Sequence, residues 1–382
     1  MQFIYLLIEL LDELVFGVGE AAWPLIRTDL GLTYAQIGLA LSLPKLIAAL
    51  IEPFVGILGD IWRRRTLILG GGIFFSLALL LIGQADAFPV LLFGWALINP
   101  SSGAFVSLSQ ASLMDSAPDR HDQNMARWAF AGSLGVVAGP LLLGGIVFLG
   151  GTWRLVFISL GLLAVLTLLG ARQILPRDAR LPWPGFDQLW CGLKDAFSAL
   201  RRGEVVRWLV LLEFSDFMLD ILYGYLALYF VDVVGLTPAN AAFAIGIWTV
   251  VGLLGDFLLI PLLEHVDGLA YLRVSVLAEL FIFPAFLLIS NLYLKLIFLG
   301  LMGLFNAGWY AILKGRLYSS MPGRSGSVMA LNQVGGLLGS FLPFFIGLAA
   351  QHFGLANAMW LLLAGPLALL LGLPRKHPEP GT

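Results

Sequence analysis

Seven carboxylic side chains and one lysine lie inside otherwise apolar stretches of this chain: Glu9, Asp12, Glu13, Glu20, Lys45, Glu213, Asp216 and Asp220. At about 100° per residue, Glu9, Asp12, Glu13, Phe16, Glu20 and Trp23 fall within an arc of roughly 100° on one helix. Glu213, Asp216, Phe217 and Asp220 share one face of another. An ionised carboxylate facing lipid costs several kcal/mol, about +2.5–3.5 even on lenient insertion scales, so both stripes should face an interior. Carboxyls held close together and away from water can take up and release protons, or accept a cation. Asp12, Glu13, Glu20, Asp216 and Asp220 are deep enough for this chemistry. Glu9 and Glu213 are shallow enough to be solvated at the mouth. Lys45 can stay charged beside the carboxylates of the first stripe, either as a structural ion pair or as part of a working site.

The elements that position these groups follow from composition. Of 382 residues, 59% are hydrophobic and 12% charged, whereas soluble domains run nearer one quarter charged. The expected class is an all-α membrane protein. Twelve apolar runs have the roughly 20-residue length a spanning helix needs. They cover 3–25, 34–58, 66–84, 88–113, 125–149, 153–172, 206–231, 239–262, 271–290, 293–317, 326–349 and 355–373. The expected organisation is a six-helix bundle over 1–172, a cytoplasmic linker over 173–205 and a second bundle over 206–382. Within the linker, Phe186 to Leu200 reads as an amphipathic segment able to lie on the membrane surface. With the N-terminus inside, 18 of the 22 Lys and Arg residues fall on the inner side and three on the outer. This predicts cytoplasmic termini in a multi-pass protein of the cell (inner) membrane. Net charge is −2, giving no reason to expect a nucleic-acid partner. A single cysteine, Cys191, and four scattered histidines give no metal or redox motif, so no cofactor is expected. The acids in the first run also argue against a cleaved signal peptide.

An internal repeat emerges at a shift of 204 residues without gaps. It superposes Glu9 on Glu213, Asp12 on Asp216, Gly31-Leu32-Thr33 on Gly235-Leu236-Thr237 and Glu52 on Asp256. Met125-Ala126 falls on Met329-Ala330, and Gly132 and Gly135 on Gly336 and Gly339. Such a repeat predicts two pseudo-symmetric bundles related by an axis along the membrane normal, with a site between them near the midplane.

Gly56-Ile57-Leu58-Gly59-Asp60-Ile61-Trp62-Arg63-Arg64-Arg65 resembles the loop signature GxLaDrxGrk of the major facilitator superfamily, matching at Gly56, Leu58, Asp60, Arg64 and Arg65. Gly135, Gly139 and Pro140, followed by Gly144-Gly145, resemble the GxxxGPxxGG motif of its exporter and antiporter branches, with one extra residue before the glycine pair. Trp153-Arg154 with Phe157 is similar to the start of its sixth helix. The resemblance implies the twelve-helix fold, alternating access, and helices one and seven lining the cavity. It also carries a departure: Asn99 stands where proton-coupled members have an arginine, which weakens drug–proton antiport as a default.

In physical terms Asp60 and the adjacent arginines can form charge-assisted bonds in one conformation and release them in another, with Glu52 and Asp256 near the same helix ends joining this latch. The glycines of the fifth run permit close packing, and Pro140 a flexing point. Asn306, Trp309 and Tyr310, with Ser101, Ser102, Ser107 and Gln110, are candidates to face a cationic or zwitterionic organic ligand. The expected function is a monomeric secondary transporter, proton-coupled through Asp12, Glu13, Glu20, Asp216 and Asp220, exporting a small cationic, zwitterionic or amphiphilic molecule. A divalent metal carrier is the alternative, since hard cations prefer carboxylate oxygens. An intramembrane enzyme with a carboxylate-held metal would want a clustered motif such as DDxxD, which the chain lacks.

Overall fold

A computed structural model describes residues 2–115, 121–176, 199–263, 265–320, 335–337 and 339–374. Within them the chain forms twelve helical rods. The first three are α1 (Gln2–Leu30), α2 (Tyr34–Ile61) and α3 (Arg64–Gly83). α4 consists of Phe88–Ser102, the π turn Gly103–Ser107 and Leu108–Asp115; α5 (His121–Phe148) and α6 (Trp153–Ile174) complete the first half. α7 joins Gly203–Ser215 to Leu222–Asp232 through a second π turn, Phe217–Ile221. After α8 (Pro238–Leu262) and α9 (Gly268–Leu288), α10 runs Leu292–Asn306, breaks, and resumes over Trp309–Ser319. α11 (Leu342–Phe353) precedes α12, which passes from Leu355–Ala358 through a 3-10 turn to Ala364–Gly372.

Ten of these rods are long and apolar enough to cross a membrane. The two that fall short are α1 and α7, the rods that carry the acid stripes. Their charge removes them from a purely hydropathic count, and the π turn also divides α7.

The repeat is visible in the local chemistry. Gly31 (φ 63°) and Gly235 (φ 83°) take the left-handed backbone that ends α1 and α7, a conformation costly for residues with a Cβ. Two residues on, the hydroxyls of Thr33 and Thr237 accept from the backbone N–H of Gln36 and Asn240, capping α2 and α8. α4 and α10 both depart from α-helix at the same repeat position, at Gly103 and at Ala307–Gly308.

The two halves meet at the end away from the chain termini. There α2 packs on α11 and α5 on α8, while α1 packs on α7. The α2–α11 seam is backbone-close: a Cβ on Gly38 would lie 2.7 Å from the Pro343 carbonyl and 2.9 Å from the Phe344 Cα. Tyr225 donates to the Pro343 carbonyl (2.6 Å), and the Phe344 N–H to Ser42 Oγ (2.9 Å). Arg27 pairs with Asp232 across the same seam, with Tyr34 donating to that carboxylate at 2.8 Å.

The linker segment 177–198 lies outside the described residues, as does most of Phe186 to Leu200; what precedes α7 is a single 3-10 turn, Ala199–Arg201.

Candidate functional site

A cavity of about 360 Å³ lies between the halves, lined by Asp12, Glu13, Val15, Phe16, Phe75, Trp95, Ile98, Asn99, Ser102 and Asp220. Three carboxylates among apolar and aromatic walls have the character of a small-molecule site. Ser102 donates to Asp12 Oδ2 at 2.9 Å, which aims that carboxylate. Asp220 reaches in from the π turn of α7 and accepts a charged hydrogen bond from Lys45 Nζ at 3.0 Å. Lys45 belongs to α2 and Asp220 to α7, so the pair joins the two halves beside the cavity. Its partner therefore differs from the one expected for Lys45, a carboxylate of α1. The repeat relates α2 to α8 within the opposite half, but the closed seam brings α2 against α7 and α11.

Glu20 lies deeper, 8% exposed, beside α7: a Cβ on Gly224 would be 3.1 Å from its Oε2, which has no hydrogen-bond partner among the described residues. Tyr223 follows Asp220 by three residues, and its buried hydroxyl is likewise unpartnered among them. Its ring meets Phe16 edge-on (5.5 Å) and Trp248 (5.1 Å). Tyr223 escaped the sequence reading although Asp216, Asp220 and Tyr223 fall at i, i+4 and i+7. Trp95, Asn99 and Ser102 repeat this spacing on α4, so the face of Asn99 was legible as a site face.

Other expected site residues are placed elsewhere. Asn306 is 4% exposed and turned into the second half, donating to the Met218 carbonyl at 3.0 Å. Trp309 is fully buried and donates to Ser275 Oγ at 2.9 Å. Neither lines the cavity, because the break in α10 directs both toward α7 and α9. Tyr310 is 43% exposed and takes a hydrogen bond from Lys314 on its own helix. Glu9, expected at a solvated mouth, is 7% exposed: a Cβ on Gly132 of α5 would be 2.7 Å from its Oε1. Its repeat mate Glu213 lies against Gly339, three residues before α11, in the same way. Gly135 and Gly139 bring α5 onto the α1 backbone, where an added Cβ would lie 2.5 Å from the Leu10 carbonyl and 2.7 Å from the Val18 nitrogen. Pro140 Cδ packs against Gly17 in that contact.

Glu52 and Asp256 occupy matching places at the breaks of α4 and α10. A Cβ on Gly103 would be 2.7 Å from the Glu52 Cγ, and Asp256 Oδ1 accepts from the Gly308 N–H at 3.1 Å. Of the loop signature, Arg64 donates to the Gly59 carbonyl (2.9 Å) and Arg65 to the Arg172 carbonyl (2.6 Å), cations placed on the last turns of α2 and α6. Gly56 has open space around it. The Asp60 side chain lies outside the described residues. Among the described residues, no three His, Cys, Asp or Glu side chains converge to hold a metal ion.

A family model, Major Facilitator Superfamily, matches residues 6–344. The chain is 26% identical over 362 residues to the transcription regulatory protein OpdE of Pseudomonas aeruginosa, covering 90% of this chain and 87% of that one. It is 27% identical over 160 residues to the fosmidomycin resistance protein of Escherichia coli, covering 42% of this chain and 39% of that protein's length. Among solved structures, a bacterial homolog of the human lysosomal transporter Spinster, inward-facing and unoccupied, superposes at TM-score 0.76 with 18% identity, covering 97% of this chain and 94% of that one. The nucleoside transporter NupG superposes at TM-score 0.76 with 12% identity, covering 97% of this chain and 98% of that one.

Proposed function

Given that the chain belongs to the Major Facilitator Superfamily, and so is a transporter and not an enzyme, we propose that it exports a small cationic or amphiphilic organic molecule by alternating access, with protons as the counter-ion. The observation that carries this reading is the Lys45–Asp220 pair at 3.0 Å between the halves, its carboxylate lining a cavity of acids and aromatics. A cationic ligand competes with Lys45 for Asp220 and gains aromatic faces at Phe16 and Trp95. Breaking that bridge removes one of the contacts the halves exchange as they rock. Asp12, Glu13, Glu20, Asp216 and Asp220 are the proton-carrying groups in this proposal; Glu52, Asp60, Arg64, Arg65 and Asp256 form the latch at the helix ends. The fosmidomycin resistance protein among its relatives supports the outward direction. With both termini cytoplasmic, the seam of Arg27, Tyr34 and Asp232 closes the outer side and the cavity faces inward.

The test is uptake of tetraphenylphosphonium, a lipophilic cation, into proteoliposomes with an imposed pH gradient. Accumulation should follow the gradient and fall at least about tenfold in Asp220→Asn. Uptake indifferent to the gradient and unchanged in Asp12→Asn and Asp220→Asn overturns the proposal.

A further inference from the structure

Arg27 and Asp232, which meet across the seam, lie in the last turns of α1 and α7. Beside each of them a cation ties the helix end back to its own half. Two residues past Arg27, Asp29 accepts from Trp153 Nε1 of α6 at 3.1 Å and pairs with Arg154. Arg154 also donates to the Ala85 carbonyl at 2.8 Å, just beyond the end of α3. Three residues before Asp232, the Tyr229 hydroxyl accepts from Lys295 Nζ of α10 at 3.0 Å. The same ammonium donates to the Phe286 carbonyl in the last turn of α9 and, at 3.5 Å, to that of Leu287.

Lys295 is 3% exposed, a rare position for a lysine without a carboxylate, and its hydrogen-bond partners among the described residues are all neutral. Its charge is met instead by the carbonyl end of α9 and by the ring faces of Phe286 (4.8 Å) and Tyr229 (5.1 Å). Capping α9 alone would not need Tyr229, just as capping α3 would not need Asp29. Nor does the repeat copy one arrangement onto the other: Lys295 has Leu91 as its mate, and Arg154 has Ala358. Different side chains therefore make the same connection in each half, from the end of its third helix to the end of its first, beside the residue that closes the seam.

The Arg27 and Asp232 side chains are 30% and 23% exposed, so their attraction is partly screened by solvent. Such a pair closes a seam only where the two backbones that carry it are already held in register. We propose that Lys295 and Arg154 are positioning residues for this closure: each clamps the end of α7 or α1 to its own half, so that Asp232 and Arg27 meet when the halves rock together. The clamps rest on alternating access and not on the identity of the substrate.

Cysteine labelling of the full-length protein in lipid tests this without any transported molecule, so its outcome is separate from that of the uptake experiment. In a Cys191→Ser background, Phe16→Cys reports the rate at which a membrane-impermeant thiol reagent enters from the Arg27 side. Lys295→Met should raise that rate about tenfold, the equivalent of one charged hydrogen bond, and Arg154→Met should do the same from the other half. Tyr229→Phe keeps the ring and removes only the hydroxyl, and should raise it about threefold. Arg27→Gln should also raise the rate, and adding Lys295→Met to it should then change labelling by less than about twofold, because the clamp acts through that pair. Should Lys295→Met fail to fold, Tyr229→Phe with and without Arg27→Gln makes the same comparison. Labelling unmoved by Lys295→Met and Tyr229→Phe would reduce Lys295 to a cap of α9. Increases that multiply with that of Arg27→Gln would detach it from the seam, and either result overturns the proposal.

Discussion

Lys45 Nζ and Asp220 Oδ2 lie 3.0 Å apart although 175 residues separate them, and their side chains are 32% and 47% exposed. That exposure decides what the pair is for. A solvent-screened ion pair contributes about 1 kcal/mol or less, too little to hold two bundles together and small enough for a ligand to replace. It is suited to switching. Lys45→Met should therefore shift the folding free energy by no more than about 1 kcal/mol. It should nevertheless lower cation accumulation at least about tenfold, because the competition that drives release is gone. In a Lys45→Met/Asp220→Asn double variant the losses should be strongly non-additive. Additive losses in proteoliposome uptake would show that the two residues act separately.

The α2–α11 seam leaves no room for a side chain at Gly38, where the obstructing atoms belong to the Pro343 and Phe344 backbone and cannot rotate away. Gly38→Leu should prevent this closure and hold the transporter open at the Arg27 end. In a Cys191→Ser background, a cysteine replacing Phe16 should then react with a membrane-impermeant thiol reagent added on that side, and should be protected when Gly38 is intact. Equal labelling with and without Gly38→Leu would place the barrier elsewhere.

The glycines of α5 differ sharply in what surrounds them. An added Cβ at Gly135 would meet the Leu10 carbonyl at 2.5 Å and the Leu14 nitrogen at 2.7 Å, whereas Gly145 has nothing within 4 Å. Gly135→Ala should cost about 1–3 kcal/mol by forcing α1 and α5 apart. Gly145→Ala should stay within about 0.5 kcal/mol of wild type. Thermal unfolding in detergent separates the two, and equal midpoints would contradict the close approach of these helices.

At the break of α10, Asp256 accepts the Gly308 N–H, and Gly308 itself sits at φ 74°. Asp256→Leu strands that donor and should cost about 1–3 kcal/mol, while Asp256→Asn keeps an acceptor and should recover most of it. Gly308→Ala should be worse than either, since an added Cβ would lie 2.0 Å from Leu259 Cδ2 on a backbone that favours glycine. These are again thermal-unfolding measurements; an Asp256→Asn protein as unstable as Asp256→Leu would mean that the charge, not the hydrogen bond, matters there.

Much of this protein was legible before any coordinates. Hydrophobic runs of membrane length, a gap-free repeat at 204 residues and seven acids in costly places are properties of the chain itself, because the penalty for charge in lipid acts on each residue wherever its helix finally packs. The capping threonines and turn glycines, which entered the sequence reading only as matches in the repeat, also depend on neighbours a few residues away. The partner of Lys45, the burial of Glu9 against Gly132, the inward turn of Asn306 and Trp309, and the neutral surroundings of Lys295 were decided by tertiary structure alone. Each depends on the rotation of one helix against another, and the π turn in α7 and the break in α10 offset the helical phase that sequence periodicity assumes. The sequence specifies which charges must be sheltered, and the packing of two similar halves decides which of them meet.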